Sequence, residues 1–192
     1  MSRRNTVART LHDVGLAAWF GGSLMGAVGL NGAANDVADV NERARIASSG
    51  WARWTPVNAV AIGAHLLGGA ILTASNRGRV KHQKGATANT AIKTVVTGAA
   101  LGATAYSRVL GSKVMEAGNV PSEGGVKPHP ATPTDVAKAQ QQLRALQWAI
   151  PGLTGSLIAF GAQQGEQQKP SQLAKGVALK LADRAKNAVR AA

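Results

Sequence analysis

Residues 14–35 read VGLAAWFGGSLMGAVGLNGAAN, and this stretch decides the fold because it contains no Lys, Arg, Asp or Glu. A helix rises 1.5 Å per residue, so a run of this length spans roughly 30 Å, the thickness of the hydrocarbon core of a bilayer. Three further apolar runs follow, at about 54–76, 89–111 and 145–165. The sequence therefore predicts an all-α protein, a bundle of four transmembrane helices in up-down-up-down order.

The distribution of charge distinguishes between two kinds of basic protein. A net charge of +13 is typical of a nucleic-acid binder. Here, however, most of the excess of bases over acids lies in 1–13, 76–88 and 166–192, whereas 35–56 is neutral and 112–144 carries about +1. By the positive-inside rule the three basic blocks are cytoplasmic. We therefore expect a multi-pass protein of the plasma (inner) membrane with both termini in the cytoplasm, and no nucleic-acid partner.

Two polar segments carry apolar residues at helical spacing. Val37, Val40, Ala44 and Ala47 predict a short amphipathic helix on the membrane surface within the first outer loop. The C-terminal segment 166–192 has the same character, and its bases are placed to meet anionic lipid headgroups at the cytoplasmic face: Lys175, Lys180, Arg184, Lys186 and Arg190. A solvated, partly frayed tail is the alternative for this segment. We thus expect a transmembrane domain over 1–165 and a basic tail over 166–192.

Two features at the ends of the spans bear on processing and on loops. Arg3, Arg4 and Arg9 precede the first apolar run, as they would in a signal peptide. That run is longer than a typical signal-peptide core, so an uncleaved first span is favoured. The Pro- and Gly-rich segment 112–134 is interpreted as an irregular outer loop.

Small residues and aromatic residues indicate how the helices meet each other and the lipid. Gly22 with Gly26, and Gly98 with Gly102, form GxxxG pairs that allow two backbones to approach closely. They predict helix-packing interfaces and a homo-oligomer or a subunit of a membrane complex, although small residues also simply fill Gly/Ala-rich helices. The predicted interfacial anchors are aromatic or long basic side chains: Trp51, Trp54, Trp148, Lys93 and Arg108.

His65 is the ionisable residue at the centre of an apolar run, and is therefore a candidate for function. Ser23, Thr154 and Ser156 lie at a similar depth, which predicts a buried polar cluster that holds the helices together. Haem is the alternative, since two histidines at one depth can ligate iron. Counting along the helices puts His12 on the order of 15 Å from the depth of His65, which argues against that pair. We therefore expect no cofactor and no metal.

Three stretches carry a resemblance to known proteins: LHDVGLAAWFGGSLMGAVGLNGAA (11–34), AYSRVLGSKV (105–114) and QQLRALQWAIPGLTGSLIAFGAQQGEQQKP (141–170). Together they resemble an uncharacterised group of small multi-span membrane proteins of actinobacteria. The resemblance implies a multi-span fold and no particular activity or site residues.

The sequence lacks the common catalytic motifs, and this is the main indication of its class of function. The sequence contains no phosphate-binding GxxxxGK[ST], no HExxH and no Cys. We therefore expect a non-enzymatic structural or accessory membrane protein. A redox, quinone or haem-associated subunit that uses His65 is one alternative, and a small channel, holin or transporter is another.

Overall fold

The protein is almost entirely helical in the part of the chain that the computed structural model describes, residues 5–75 and 84–167, with side chains for 5–75 and 88–163. The helices and strands are, in order, α1 (Thr6–Met25), a π-helical turn (Gly26–Leu30), α2 (Asn31–Asn35), α3 (Arg43–Ser75), α4 (Lys84–Glu116), β1 (Ser122–Gly124), β2 (Lys127–Pro128) and α5 (Thr134–Gln167). Backbone contacts divide the chain into two units at Leu157/Ile158, and the expected boundary between 165 and 166 stays a prediction. All contacts given below lie within the first unit.

Three of the described helical segments are long and apolar enough to cross a membrane: Thr6–Asn35, Arg43–Ser75 and Thr134–Gln163. This confirms the coarse prediction, a helical protein that fits a membrane. Helix α4 is not among the three, because Lys93 and Arg108 and several Thr and Gly residues dilute its apolar character. The fourth span and the bundle therefore remain predictions.

The long helices extend well beyond the predicted spans. Helices α3, α4 and α5 contain 33, 33 and 34 residues, so each is roughly 50 Å long, against a hydrocarbon core of roughly 30 Å. The separate surface helix expected after residue 35 is therefore wrong. Residues 36–42 form a short turn-containing link, and Ala44 and Ala47 lie buried in the first turns of α3.

Pro56 lies inside α3 and does not begin it. A proline in a helix interior leaves the carbonyl groups of the preceding turn short of donors. Nearby, Thr55 Oγ1 donates a hydrogen bond to the carbonyl oxygen of Trp51 at 2.9 Å. The carbonyl that loses its helical donor to Pro56 is that of Ala52, so the Thr55 hydroxyl adds a second donor to the neighbouring carbonyl and does not replace the missing one.

A small β-hairpin covers the ends of α3, α4 and α5 that the sequence placed outside the membrane. Gly118 lies just after the end of α4 and has φ +69°, a left-handed conformation that glycine adopts without strain. Strands β1 and β2 then pair antiparallel, so part of the predicted loop is ordered sheet. Beneath the hairpin lies an apolar core of small and branched residues: Ala44, Leu110, Val114, Val120, Val136, Ala139 and Leu143.

Charged and polar contacts attach this hairpin to α3 and α5. Arg43 donates from Nη1 to the carbonyl oxygen of Glu123 at 3.2 Å, and Gln140 Nε2 donates to Ser122 Oγ at 3.0 Å. Lys127 Nζ lies 2.6 Å from Glu123 Oε2, and its hydrogen bond and charge lower the pKa of the exposed Glu123 carboxyl. The outer segment is thus a folded cap.

A second apolar core lies among α1, α4 and α5, and polar side chains are buried beside it. It contains Leu16, Trp19, Ala100, Ile150 and Leu157. Side chains buried in the first unit include many polar ones, among them Asn31, Asn58, His65, Gln140, Gln147 and Thr154. Large aliphatic side chains, including Val57, Val60, Leu67, Val95 and Val109, are exposed. An apolar surface, with many of the polar side chains turned inward, is the arrangement that lipid as a solvent favours.

Candidate functional site

His12 and His65 form a reciprocal pair between the antiparallel helices α1 and α3. Each ring places its Nδ1 3.0 Å from the backbone carbonyl oxygen of the other histidine. A carbonyl oxygen only accepts, so Nδ1 carries the proton in both rings and donates. The rings stack with centroids 4.1 Å apart and planes 19° apart, and the edge of Trp19 approaches the His65 ring. His65, only 3% exposed, is therefore satisfied by its own chain.

The same spacing of small residues surrounds each histidine. Residues 8–15 and 61–68 both read Ala-x3-His-x2-Gly. A Cβ on Gly15 would overlap the backbone of Ala61 and His65, and one on Gly68 would overlap the backbone of Ala8 and His12. The crossing of α1 and α3 thus has local two-fold pseudosymmetry, in which each glycine admits the backbone that the histidine on its own helix bonds.

The depth estimate for His12 is wrong. Counting each apolar run from its own centre put the two histidines on the order of 15 Å apart, whereas their rings are in contact. The two helices cross where Gly15 and Gly68 lie against the opposite backbone, and this crossing places His12 level with His65. Iron held by two axial histidines requires a macrocycle between the rings. A stacking distance of 4.1 Å leaves no room for one, so this pair does not fit haem.

The predicted partners of His65 bond elsewhere. Thr154 Oγ1 donates to the Ile150 carbonyl oxygen at 2.8 Å, and Ser156 Oγ donates to that of Leu153 at 2.7 Å. Both hydroxyls therefore satisfy their own helix, near the kink-prone Pro151. Ser23 is buried and lines the cavity described below. The polar interior thus has two parts, the histidine pair and this cavity.

The GxxxG pair Gly22/Gly26 packs against α3 of the same chain. Gly22 faces the ring of Trp54 and Gly26 faces that of Trp51, closely enough that a Cβ on either glycine would overlap the indole. Trp51 and Trp54 are half-buried and pack between α1 and α3, and their role as interfacial anchors stays a prediction. Trp148, by contrast, is 57% exposed, as an anchor would be.

The other predicted interface residues lie on α4. A Cβ on Gly98 or on Gly102 would meet no atom within 4 Å among the described residues. Arg108 is exposed, and Lys93 is partly buried with interactions of its own. The basic residues of the C-terminal tail, from Lys175 to Arg190, lie outside the described residues.

Asn31 links four parts of the protein just after the π-helical turn. Its Nδ2 donates to Gln147 Oε1 on α5, and its Oδ1 accepts from Trp51 Nε1 on α3 at 3.3 Å. Gly125 of the hairpin turn sits close to the same Oδ1. A π turn rotates the residues that follow it relative to a regular helix. The turn thereby brings the Asn31 amide to the junction of α3, α5 and the hairpin.

Beside this junction is a cavity of about 190 Å³. One face of α3 supplies much of its wall, through Ser48, Trp51, Trp54, Asn58 and Ile62. The remaining wall comes from Ser23 on α1, from the hairpin turn, and from α4 and α5: Thr104, Ala105, Ser107, Arg108, Gly111, Leu143, Gln147 and Ile150. Two lining atoms, Trp54 Nε1 and Asn58 Oδ1, are buried without a hydrogen-bond partner in the described structure.

The sequence analysis missed His12 as a partner of His65, and it missed Asn31, Asn58 and Gln147 altogether. The repeated Ala-x3-His-x2-Gly spacing was the signal for the first, and a lone Asn within an apolar run was the signal for Asn58. Among the residues that the structure describes, no three His, Asp or Glu side chains gather where they could hold a metal ion.

No protein family, curated protein or solved structure matches this chain. The resemblance to actinobacterial multi-span proteins therefore stays a prediction, and function has to be argued from the geometry alone.

Proposed function

We propose that the chain is a four-span integral protein of the plasma (inner) membrane, with both termini cytoplasmic. The apolar exposed surface and the three membrane-length helical segments support this placement. Support for a fourth span comes from α4, because its Ala100 packs in one core with Trp19 of α1 and Ile150 of α5. If those two helices cross the bilayer, α4 crosses beside them. The basic blocks set the orientation.

Within that membrane, the protein acts as a non-catalytic accessory or structural subunit that associates with a second copy or a larger complex. The observation that carries this proposal is the open face of α4. Gly98 and Gly102 lie one turn apart with no described neighbour within 4 Å of a Cβ, and Val95 and Val109 on the same helix are 71% and 64% exposed. Close backbone approach at such a face is what drives helix association in lipid.

The test is the assembly state of the purified full chain in mild detergent, measured by native mass spectrometry and crosslinking. Gly98→Leu/Gly102→Leu is expected to insert normally and to lower the assembly state. Gly152→Leu, at an open position on α5, is the matched control and should leave it unchanged. The proposal would be refuted if the wild-type protein is a monomer, or if the double variant assembles as the wild type does.

A further inference from the structure

The cavity beside Asn31 contains two polar atoms that the described chain leaves unsatisfied. Trp54 Nε1 is a donor and Asn58 Oδ1 is an acceptor, and they stand one turn apart on the same face of α3. Asn58 is only 9% exposed. An unpaired buried polar group costs about 1–3 kcal/mol. Two such groups facing one cavity indicate that something in the cavity completes them.

The cavity is larger than a single group that bonds both of these atoms would need. At about 190 Å³ it corresponds to roughly six water molecules at ~30 Å³ each. A group that satisfies both atoms must accept from the indole N–H and donate to the amide oxygen. A hydroxyl does both. Ser23 and Ser48 add two more buried hydroxyls to the wall, and the Trp51 and Trp54 rings add flat apolar surface.

Charge at the cavity is supplied by one residue. Among the described residues that line it, Arg108 is the charged one, and it is exposed and makes no ion pair with the described chain. A guanidinium at the rim of this largely apolar cavity suits a phosphate, which it can bind with two parallel hydrogen bonds. The cavity therefore combines an anion site at its rim with a hydroxyl site in its interior.

We propose that this cavity binds a phosphoglycerol group, with the phosphate at Arg108 and the glycerol hydroxyls between Trp54 Nε1 and Asn58 Oδ1. Such a group has two sources, the headgroup of an anionic phospholipid and free glycerol phosphate. The lipid source rests on the proposed membrane position, since Arg108 would then lie near the outer interface. The recognition chemistry itself depends only on the cavity.

The experiment measures binding to the purified full chain by native mass spectrometry and by tryptophan fluorescence. The probes are short-chain phosphatidylglycerol, phosphatidylcholine with the same chains, free glycerol phosphate and inorganic phosphate. We expect phosphatidylglycerol to bind about ten-fold more tightly than phosphatidylcholine, because both lipids carry the phosphate but choline lacks the hydroxyls that bond Trp54 and Asn58; ten-fold is roughly the value of one hydrogen bond. Binding of phosphatidylglycerol alone identifies a lipid site. Binding of free glycerol phosphate as well identifies a site for the isolated group.

Three variants separate the parts of the site. Arg108→Gln should weaken the binding of every probe that carries the phosphate, whereas Lys113→Gln, which removes an exposed base from the same helix outside the cavity lining, should leave binding unchanged. Asn58→Leu should weaken binding without lowering the melting temperature of the ligand-free protein, because it removes an unsatisfied buried atom. A residue with a merely structural role would lower that temperature.

Three results would overturn the inference: no preference between the two lipids together with no binding of glycerol phosphate, binding unchanged by both Arg108→Gln and Asn58→Leu, or equal loss in Lys113→Gln. Water alone in the cavity would give the first of these. The Gly98→Leu/Gly102→Leu variant should bind as the wild type does, so failure of the assembly proposal and failure of this one are read separately.

Discussion

At the scale of single residues, the His12–His65 pair shows how imidazoles lie in an apolar helix crossing without a metal or a carboxylate. Each ring donates to a carbonyl oxygen that already belongs to a helix, so no additional polar side chain has to be buried for it. The stacked rings also cover each other. The pair therefore fixes both the register and the rotation of α1 against α3.

We predict that His12→Ala and His65→Ala each destabilise the protein by about 1–3 kcal/mol, because each change removes one buried hydrogen bond and the stacking surface of the partner. The measurement is thermal or denaturant unfolding in detergent. The double variant should cost less than the sum of the two single variants by the value of the ring stacking, which is shared, whereas each hydrogen bond goes to a backbone carbonyl that alanine keeps.

Leu66→Ala is the matched control, because Leu66 is exposed and adjacent to His65. Additive single effects, or a destabilisation by Leu66→Ala as large as that by His65→Ala, would show that the pair is not a coupled unit.

At the scale of helices and strands, the contact between α1 and α3 depends on which glycines carry the crossing. Gly15 and Gly68 lie against backbone, whereas Gly63 on α3 has no described neighbour within 4 Å of a Cβ. We predict that Gly15→Ala and Gly68→Ala lower the melting temperature, because backbone cannot move aside as a flexible side chain does. Gly63→Ala should leave it unchanged or raise it, since alanine favours a helix by about 1 kcal/mol over glycine.

Melting of the three variants in the same detergent is the measurement. Equal melting temperatures for Gly15→Ala and Gly63→Ala would contradict the close crossing of the two backbones.

Helix type and membrane-length segments could be predicted from the sequence, because hydropathy and length report directly on them. Helix ends could not. The spacing of Val37 and Val40 suggested a separate helix after residue 35, yet the chain forms a turn-containing link there and α3 begins at Arg43. The pairing of His12 with His65 was missed for the same reason. Depth was measured from the apolar runs, whereas register is set by backbone contacts at Gly15 and Gly68 that composition does not report.

The cavity was also beyond sequence reasoning. Its lining residues come from four helices and the hairpin, and each is unremarkable alone. The tryptophans Trp51 and Trp54 suggested the membrane interface, where such residues are common. Their packing on Gly22 and Gly26 depends on the antiparallel pairing of α1 and α3, which is a tertiary fact.

At the scale of the whole molecule, the arrangement of basic blocks predicts the orientation in the membrane. The chain has no cysteine, so single cysteines introduced by mutation report without background. We predict that Asn119→Cys, near the hairpin, reacts with a membrane-impermeant maleimide on intact cells. Gln83→Cys should react only after permeabilisation, because the bases around it hold that loop in the cytoplasm.

Labelling of Gln83→Cys on intact cells would reverse or abolish the proposed orientation. Equal labelling of both positions would instead indicate leaky cells, for which a cytoplasmic marker protein is the control.

The histidine–glycine crossing has a consequence for the order of assembly during synthesis. All of its residues lie between Ala8 and Gly68, so both of its helices leave the ribosome well before α4 and α5. At typical rates of 5–20 residues per second, the remaining chain takes on the order of ten seconds. Over that interval α1 and α3 can lock as a helical hairpin, with Trp51 and Trp54 already seated on their glycines. The later helices then close the cavity against a wall that is already in place.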